Sequence, residues 1–410
     1  FLILSLVLFF LIGCNRSKKD DKVLIFWHVM GGRALGDTLN ELVDNYNATN
    51  PEYTVKAIHK GSYSSLIQSL MATIPADMLP DISQAYESWI TKMDKAGVVV
   101  ELDQFMTDDE ILNDLYPILL ENSLYDGRLL SMPFNKSVYV LYYNKDLFEE
   151  HGKEPPKTWV EFRELCKYFT LDEDNDGTQE RVGYAFIPSS GFYLTLFKSF
   201  GGEINDDPQS FLNLEKQTAG LEALQYMWDL LYKDKSAWRF SDYNFQNEFA
   251  QGKAAMIITS CVSRSFFEKK LNFRLGVAPL PGDVVATTIL QGTNLVIFKS
   301  NPEREKAAYK FIEYLMEPEN VALWAIRTQY VPVRRSALDT EIYKEALEQD
   351  PLLAIPVLQM DEAFFEPRVI QWYRSRNILS DSIDKVATDR NTPEEGLKYL
   401  MKKLKVEIHH

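Results

Sequence analysis

Strands and helices alternate regularly in the first part of the chain, and this order restricts the fold more than any other feature. The run "KVLIFWHV" from Lys22 predicts a strand, and the stretch after it has apolar residues at helical spacing up to Pro51. A strand at "YTVKAIHKG", a helix at "SYSSLIQSLMATIP" and a short buried strand at "PDISQAY" continue the pattern. Because helices join parallel strands by right-handed crossovers, this order predicts an α/β fold with a parallel sheet.

The carboxyl ends of these strands carry polar and aromatic side chains. Trp27 ends the first strand, Tyr63 follows the second, and Glu87 follows the third. Ligands of open parallel sheets bind beyond the carboxyl ends of the strands. The sequence therefore predicts a small-molecule site at this edge.

Length and charge narrow the class of protein. A chain of 410 residues is too long for one ordinary core and indicates two large domains. The formal net charge of -15 argues against a nucleic-acid partner, which would need a basic surface. An anionic ligand would have to be held by local groups, because the overall field repels it.

The N-terminal segment is typical of an exported protein. Residues 1–13, "FLILSLVLFFLIG", predict the apolar region of a signal peptide, because the run is too short to span a bilayer. Its end, "LIGC", resembles a bacterial lipobox, which would make Cys14 the lipid-modified first residue of the mature protein. Residues 14–21 would then be a polar tether. An ordinary cleaved signal with a chance cysteine is the alternative. We expect an extracytoplasmic protein, anchored on the periplasmic side or on the outer surface of the cell membrane.

The two remaining cysteines do not form a metal-binding pattern. Cys166 lies at helical apolar spacing with Trp159, which predicts core packing. Whether Cys166 and Cys261 form a disulfide is left open by the sequence.

One acidic loop resembles a calcium site. In "DEDNDGTQERVG" the carboxylates of positions 1, 3 and 5 are Asp172, Asp174 and Asp176, but Gly183 replaces the glutamate expected at position 12. The alternative is a solvated acidic turn. No other metal and no cofactor is predicted.

Several short motifs follow one another along the chain in a fixed order: "FWH", "KGSY", "YYNKDLF", "PPKTW", "GKAAMIITS", "GVAPLPG" and "YVPVRRSA". Together they resemble the extracellular solute-binding proteins of bacterial ABC importers, over essentially the whole chain after the N-terminal segment. The resemblance implies the two-lobed periplasmic-binding-protein fold of type II, with several strands crossing the hinge and the ligand in the interlobe cleft. It also implies a monomeric receptor that delivers a small molecule to ABC permease and ATPase subunits.

The stretch "SVYVLYYNKDLF", residues 137–148, is similar to a hinge-crossing strand of this family. Such a strand must be apolar in both lobes yet present a polar atom, here Ser137, at the cleft floor. The expected first lobe comprises residues 22–137 and 262–291. The expected second lobe comprises residues 138–261 and 292–410.

Within the family the resemblance is strongest to receptors for glycerol 3-phosphate. The ligand-contacting positions that it implies are Tyr63, Glu87, Ser137, Ser260, Gly292, Tyr330 and Arg376. Arg376 is placed by counting back from "TPEE", so Arg374 and Arg368 remain alternatives. A phosphate needs a guanidinium, hydroxyl donors and backbone N–H groups, whereas a diol needs an acceptor such as Glu87. Glycerophosphodiesters are related candidate ligands.

Two other functions remain open at this point. A sugar receptor of the same family would stack aromatic rings on its ligand, and the candidate rings are Trp27, Trp159, Trp324 and Trp372. Trp159 in "PPKTW" suits either ligand class and is included among the candidate ligand-binding residues. A secreted hydrolase is a remote alternative, because carboxylates are abundant. The sequence contains no G-x-S-x-G, P-loop or H-E-x-x-H motif, so no enzyme activity is predicted.

Overall fold

The structure is a computed structural model that describes residues 22–76, 78–174, 176–215 and 218–408. The predicted signal segment 1–13, Cys14 and the tether 14–21 lie outside the described residues. The strands are β1 (Val23–His28), β2 (Thr54–His59), β3 (Ile82–Ala85), β4 (Leu124–Tyr125), β5 (Arg128–Leu129), β6 (Met132–Asn144), β7 (Val182–Phe186), β8 (Ala237–Arg239), β9 (Ala254–Ser260), β10 (Leu275–Ala278), β11 (Thr288–Ile297) and β12 (Ala363–Phe364).

The helices surround these strands in two groups. They are α1 (Gly32–Thr49), α2 (Tyr63–Thr73), α3 (Glu87–Lys95), α4 (Glu110–Asp114), α5 (Pro117–Ser123), α6 (Lys145–Glu150), α7 (Trp159–Phe169), α8 (Ser190–Ser199), α9 (Thr218–Trp228), α10 (Asn244–Ala250), α11 (Arg264–Phe267), α12 (Pro302–Leu315), α13 (Pro318–Thr328), α14 (Glu341–Gln349), α15 (Ala354–Val357), α16 (Ile370–Ala387) and α17 (Pro393–Ile408).

Strands β1, β2 and β3 with the helices that cover them form the first lobe. β1 pairs in parallel with both β2 and β3, as the alternation of strands and helices predicts. Each crossover helix begins where its strand pattern ends: Ser62 caps α2 by accepting a hydrogen bond from the backbone N–H of Ser65. The carboxyl ends of β2 and β3 lead into the starts of α2 and α3, which face the second lobe.

Strand β6 connects the two lobes. Its first half, up to Val138, pairs with β11, and its second half, from Tyr139, pairs with β9. Asn144 then ends the strand and caps α6, because its side-chain oxygen accepts from the backbone N–H of Leu147 at 3.0 Å. The prediction of a hinge-crossing strand that ends in a polar helix start is confirmed.

Strands β7, β8, β9 and β10 form the second lobe with the second half of β6. β7 pairs in parallel with β8 and β9, whereas β9 and β10 flank β6 in antiparallel orientation. Helices α7, α8, α9, α16 and α17 share one apolar core on this lobe. Trp159, Tyr184 and Phe197 are among the fully buried rings of that core.

The predicted allocation of the later segments to the lobes is wrong in two places. Residues 262–291, expected in the first lobe, include β10, which pairs with Leu141–Asn144 in the second. Residues 292–410, expected in the second lobe, include α12 and α13, which pack on the first. Arg304 of α12 forms a buried ion pair with Asp81 next to β3, with its Nη2 2.7 Å from Asp81 Oδ2.

The reason for this difference is the position of the second crossing. The expected bounds imply a return to the first lobe after Cys261 and a further crossing to the second lobe at Gly292. In the structure the chain instead returns to the first lobe along β11. Leu290–Gly292 of β11 lie against β6, while Asn294–Ile297 pair with β3 of the first lobe. Everything from β11 to α14 therefore packs near the first lobe, and α16 and α17 return to the second.

Candidate functional site

A cavity of about 1090 Å³ lies where the two lobes face each other. We call it the cleft cavity. Elements of both lobes contribute to its wall, including the starts of α2 and α3, strands β6 and β11, the end of β9, and α16. The lining contains these residues expected from the sequence: Tyr63, Glu87, Ser137, Ser260, Gly292, Tyr330 and Arg376.

The hydroxyls of Tyr63 and Tyr330 meet at one side chain. The Nδ2 atom of Asn135 donates to the Tyr63 hydroxyl and to the Tyr330 hydroxyl, at 3.1 Å each. Both tyrosines belong to the first-lobe side of the cavity, since the ring of Tyr330 stacks on Trp324 of α13. Burial raises the pKa of both phenols, so both hydroxyls keep their protons at neutral pH.

Glu87 is paired with a fully buried lysine. The Nζ of Lys136 lies 2.8 Å from Glu87 Oε1 and 2.9 Å from Asn122 Oδ1. The side chain of Lys136 is 0% exposed and that of Glu87 is 15% exposed. Burial lowers the pKa of Lys136, and the neighbouring Glu87 carboxylate opposes that shift. The pair makes this part of the cavity electrically neutral, which reduces the repulsion of an anionic ligand.

Arg376 reaches the cavity from the second lobe. Its Nε lies 2.9 Å from the carboxylate of Glu366, which also accepts from Trp372 Nε1 at 2.7 Å. Glu366 is the main cause that raises the pKa of Arg376. A guanidinium has five N–H donors, so a bond at Nε leaves donor capacity for a ligand.

The other two candidate arginines have different roles. Arg368 binds Asp206 through Nε at 2.8 Å and donates to the backbone oxygen of Leu124 at 2.6 Å. Arg374 is 73% exposed on α16 and pairs with Glu407 at 3.5 Å. Neither lines the cavity, so the geometry favours Arg376 among the three.

Gly292 lets the backbone of β11 approach β6 closely. Its φ is +100°, and a Cβ built there would lie 1.8 Å from the backbone oxygen of Asn135. Only glycine fits both the conformation and the space. Ser137 is nearly buried beside it, and Ser260 ends β9 with its hydroxyl 3.4 Å from the backbone N–H of Val262.

Trp159 does not contact the cavity, and its assignment as a ligand-binding residue is wrong. The side chain is 0% exposed, and its Nε1 donates to Ser199 Oγ at 2.8 Å inside the second lobe. A capping box between Thr158 and Glu161 starts α7 at this position and turns the ring into the core. Among the four tryptophans considered for sugar stacking, Trp372 lines the cavity, whereas Trp27, Trp159 and Trp324 do not.

Sequence reasoning missed the groups directly behind the cavity wall. Asn135 and Lys136 are fully buried in β6, and Gln84 is fully buried in β3. For Asn135 and Lys136 the signal was present in "PFNKSVYVL", where these two residues and Ser137 interrupt an otherwise apolar strand. A polar group that is buried without a partner is costly, so such residues indicate a hydrogen-bonded network.

The acidic loop and the two cysteines are not part of the cavity lining, although the neighbours of Cys261, Ser260 and Val262, line it. Carboxylate oxygens of Asp172, Asp174 and Asp176 come within 4.8 Å of one another, so calcium binding there stays a prediction. Cys166 and Cys261 are both buried and free, which answers the question of a disulfide between them. None of the helices in the part of the chain that the structure describes has the length and apolar character that a membrane span requires.

Comparison with known proteins places this architecture in context. The model of a family described as bacterial extracellular solute-binding protein matches residues 41–354. A curated relative, the sn-glycerol-3-phosphate-binding periplasmic protein UgpB of Escherichia coli O1:K1, is 28% identical over 406 residues, covering 91% of this chain and 89% of its own length.

Two solved structures have the same fold. UgpB from Mycobacterium tuberculosis, in complex with glycerophosphocholine, matches with a TM-score of 0.81 at 23% identity, covering 94% of this chain and 98% of that chain. The cyclic alpha-maltosyl-1,6-maltose binding protein of Arthrobacter globiformis matches with a TM-score of 0.79 at 23% identity and the same coverage. The expected two-lobed α/β fold is thereby confirmed.

Proposed function

The chain belongs to the bacterial extracellular solute-binding protein family, and we propose that it binds glycerol 3-phosphate, or a related glycerophosphodiester, in the cleft cavity. As a member of this family it is the solute-binding receptor of an ABC importer and not an enzyme. The observation that carries the proposal is the convergence of Arg376, Tyr63 and Tyr330 on one cavity, in which the Glu87 carboxylate is paired with Lys136.

The two ends of such a ligand have different requirements. A phosphate dianion accepts hydrogen bonds from N–H and O–H groups, which Arg376 and the tyrosine hydroxyls supply from opposite lobes. The glycerol hydroxyls need acceptors, and the Glu87 carboxylate is an acceptor when ionised. A ligand that touches both lobes stabilises the arrangement in which they are close together.

A screen by thermal unfolding tests the ligand class. The probes are glycerol 3-phosphate, glycerophosphocholine, inorganic phosphate, glycerol and maltose. A ligand at a hundredfold excess over its Kd adds about 2.7 kcal/mol to the free energy of unfolding. We expect glycerol 3-phosphate or glycerophosphocholine to raise the Tm most, and glycerol to have little effect. A larger shift with maltose would contradict the proposal.

Sugar binding is the second candidate function, and a specific observation favours it. Three aromatic rings among the residues that line the cleft cavity are largely exposed: Tyr243 at 68%, Phe266 at 59% and Tyr373 at 55%. Exposed rings beside a cavity offer apolar faces to a sugar. The solved maltosyl-maltose-binding protein has the same fold, so the fold itself does not discriminate between these ligands.

We also propose that the protein is a monomer held at the membrane by a lipid on Cys14, delivering its ligand to ABC permease and ATPase subunits. Replacing Cys14 with serine removes the thiol that would be lipidated. The Cys14→Ser protein, expressed from its full-length precursor, is therefore expected to leave the membrane fraction. The measurement is fractionation of cells followed by immunodetection. Retention of Cys14→Ser in the membrane fraction would refute the anchor.

A further inference from the structure

Asn135 lies behind the wall of the cleft cavity and is 0% exposed. Its Nδ2 donates to the hydroxyls of Tyr63 and Tyr330 at 3.1 Å each. Its Oδ1 accepts from Gln84 Nε2 at 2.8 Å and from the hydroxyl of Thr293. The side-chain amide of Asn135 therefore makes four hydrogen bonds: one to a residue of β3, one to a residue of β11 and one to each of the two cavity tyrosines.

The direction of every bond in this network follows from one backbone group. The N–H of Val29 can only donate, and it lies 2.7 Å from Gln84 Oε1. Gln84 must therefore turn its Nε2 toward Asn135, which must present its Oδ1 in return. The Nδ2 of Asn135 is then the atom that faces Tyr63 and Tyr330.

This direction determines what the tyrosines can do for a ligand. Each hydroxyl accepts a bond from Asn135, so its own proton is not used on Asn135. The Tyr63 hydroxyl also lies within hydrogen-bonding reach of the hydroxyls of Tyr330, Tyr86 and Thr293. Its oxygen has two lone pairs, and one of them accepts from Asn135, so it can accept from only one of Tyr330 and Tyr86. At least one O–H of the three tyrosines therefore remains to donate into the cavity, which all three line.

We infer that Asn135 is a positioning residue that makes Tyr63 and Tyr330 a donor face of the cleft cavity. The cavity then selects ligands with acceptor oxygens on that side, as a phosphate monoester or diester has. The inference deepens the proposed function and, for the phosphate ligand, rests on it. Asn135 does not line the cavity, yet it determines whether the tyrosine hydroxyls donate hydrogen bonds to the ligand or accept them from it.

The variant Asn135→Asp keeps the shape but replaces the donor by a carboxylate, which only accepts when ionised. Tyr63 and Tyr330 would then direct their protons at the introduced carboxylate and present lone pairs to the ligand. We expect calorimetric titration to show glycerol 3-phosphate binding weakened by at least about a hundredfold, because hydroxyl lone pairs then face the phosphate oxygens and the introduced carboxylate adds repulsion. The control Asn47→Asp, in a hydrogen-bonded asparagine of α1, is expected to bind like the parent.

A double-mutant cycle separates this role from a merely structural one. In the parent, Tyr63→Phe should weaken glycerol 3-phosphate binding by roughly tenfold or more, because a donor to a charged group is lost. In the Asn135→Asp background, Tyr63→Phe should cost almost nothing further. An equal cost of Tyr63→Phe in both backgrounds, or parent-like binding by Asn135→Asp, would overturn the inference.

Two further arms keep the test decisive. If Asn135→Asp does not fold, Gln84→Glu reverses the same chain of bonds one step earlier and should give the same loss. If neither variant folds, Tyr63→Phe and Tyr330→Phe test the inference. Parent-like binding of glycerol 3-phosphate by both variants would show that the two hydroxyls do not donate to the ligand. If the parent binds maltose and not glycerol 3-phosphate, the proposed function fails, and the same cycle measured with maltose tests the inference alone.

Discussion

Replacing Arg376 with alanine is expected to weaken the binding of glycerol 3-phosphate by at least tens of fold. Removing one partner of a desolvated charge pair costs about 2 to 5 kcal/mol, much of it from leaving the other charge unpaired. Here the loss has a second component. Glu366, which lies 2.9 Å from Arg376, would keep its carboxylate in the cavity wall without that partner and would repel the phosphate.

The same helix offers a matched control for this prediction. Arg374 lies two positions earlier in α16, is exposed, and pairs with Glu407 away from the cavity. Arg374→Ala should therefore bind glycerol 3-phosphate like the parent. Arg376→Lys should recover part of the affinity, because an ammonium supplies charge without the planar pair of donors.

Calorimetric titration of the parent and these variants provides the measurement. Maltose, which has no charge, serves as the second ligand. Parent-like affinity of Arg376→Ala for glycerol 3-phosphate would mean that the ligand is not held by this guanidinium. Tighter binding of maltose than of glycerol 3-phosphate by the parent would instead favour the sugar-receptor function, with Trp372 and the exposed rings as the next residues to replace.

Replacing Lys136 with methionine is expected to lower the free energy of unfolding by about 3 to 5 kcal/mol. Methionine fills much of the same volume, so the effect comes from charge and not from a cavity. The change leaves Glu87, which is 15% exposed, and Asn122 Oδ1 without the buried ammonium that both contact. An uncompensated charge in a poorly hydrated site is among the most destabilising single changes in a protein.

Urea unfolding followed by circular dichroism measures this difference. The double variant Lys136→Met with Glu87→Gln should regain much of the lost stability, because no charge is then left unpaired. Lys92→Met, on the exposed face of α3, controls for the loss of a positive charge in general. If Lys136→Met unfolds at the same urea concentration as the parent, the ion pair does not support the fold.

The sequence by itself determined the type and order of the elements that carry the site. Alternating strand and helix patterns predicted β1, α1, β2, α2 and β3, because periodicity and turn residues act within a few positions. The apolar strip beginning at Ser137 predicted the crossing strand β6 and its polar end at Asn144. The resemblance to a known family, carried by short motifs, supplied the positions of the seven residues that line the cleft cavity.

Only the tertiary structure decided how distant segments combine. The pairing of β11 with β3 joins residues about two hundred positions apart, and no local pattern specifies it, so the later segments were assigned to the wrong lobes. Trp159 shows the same limit: its local pattern suits a cleft or a core, and packing against Ser199 places it in the core. Likewise, Asn135 and Lys136 acquire their roles from Gln84 and Glu87 of other elements. Local sequence sets backbone preference and periodicity, whereas burial and hydrogen-bond direction depend on which distant groups the fold brings into contact.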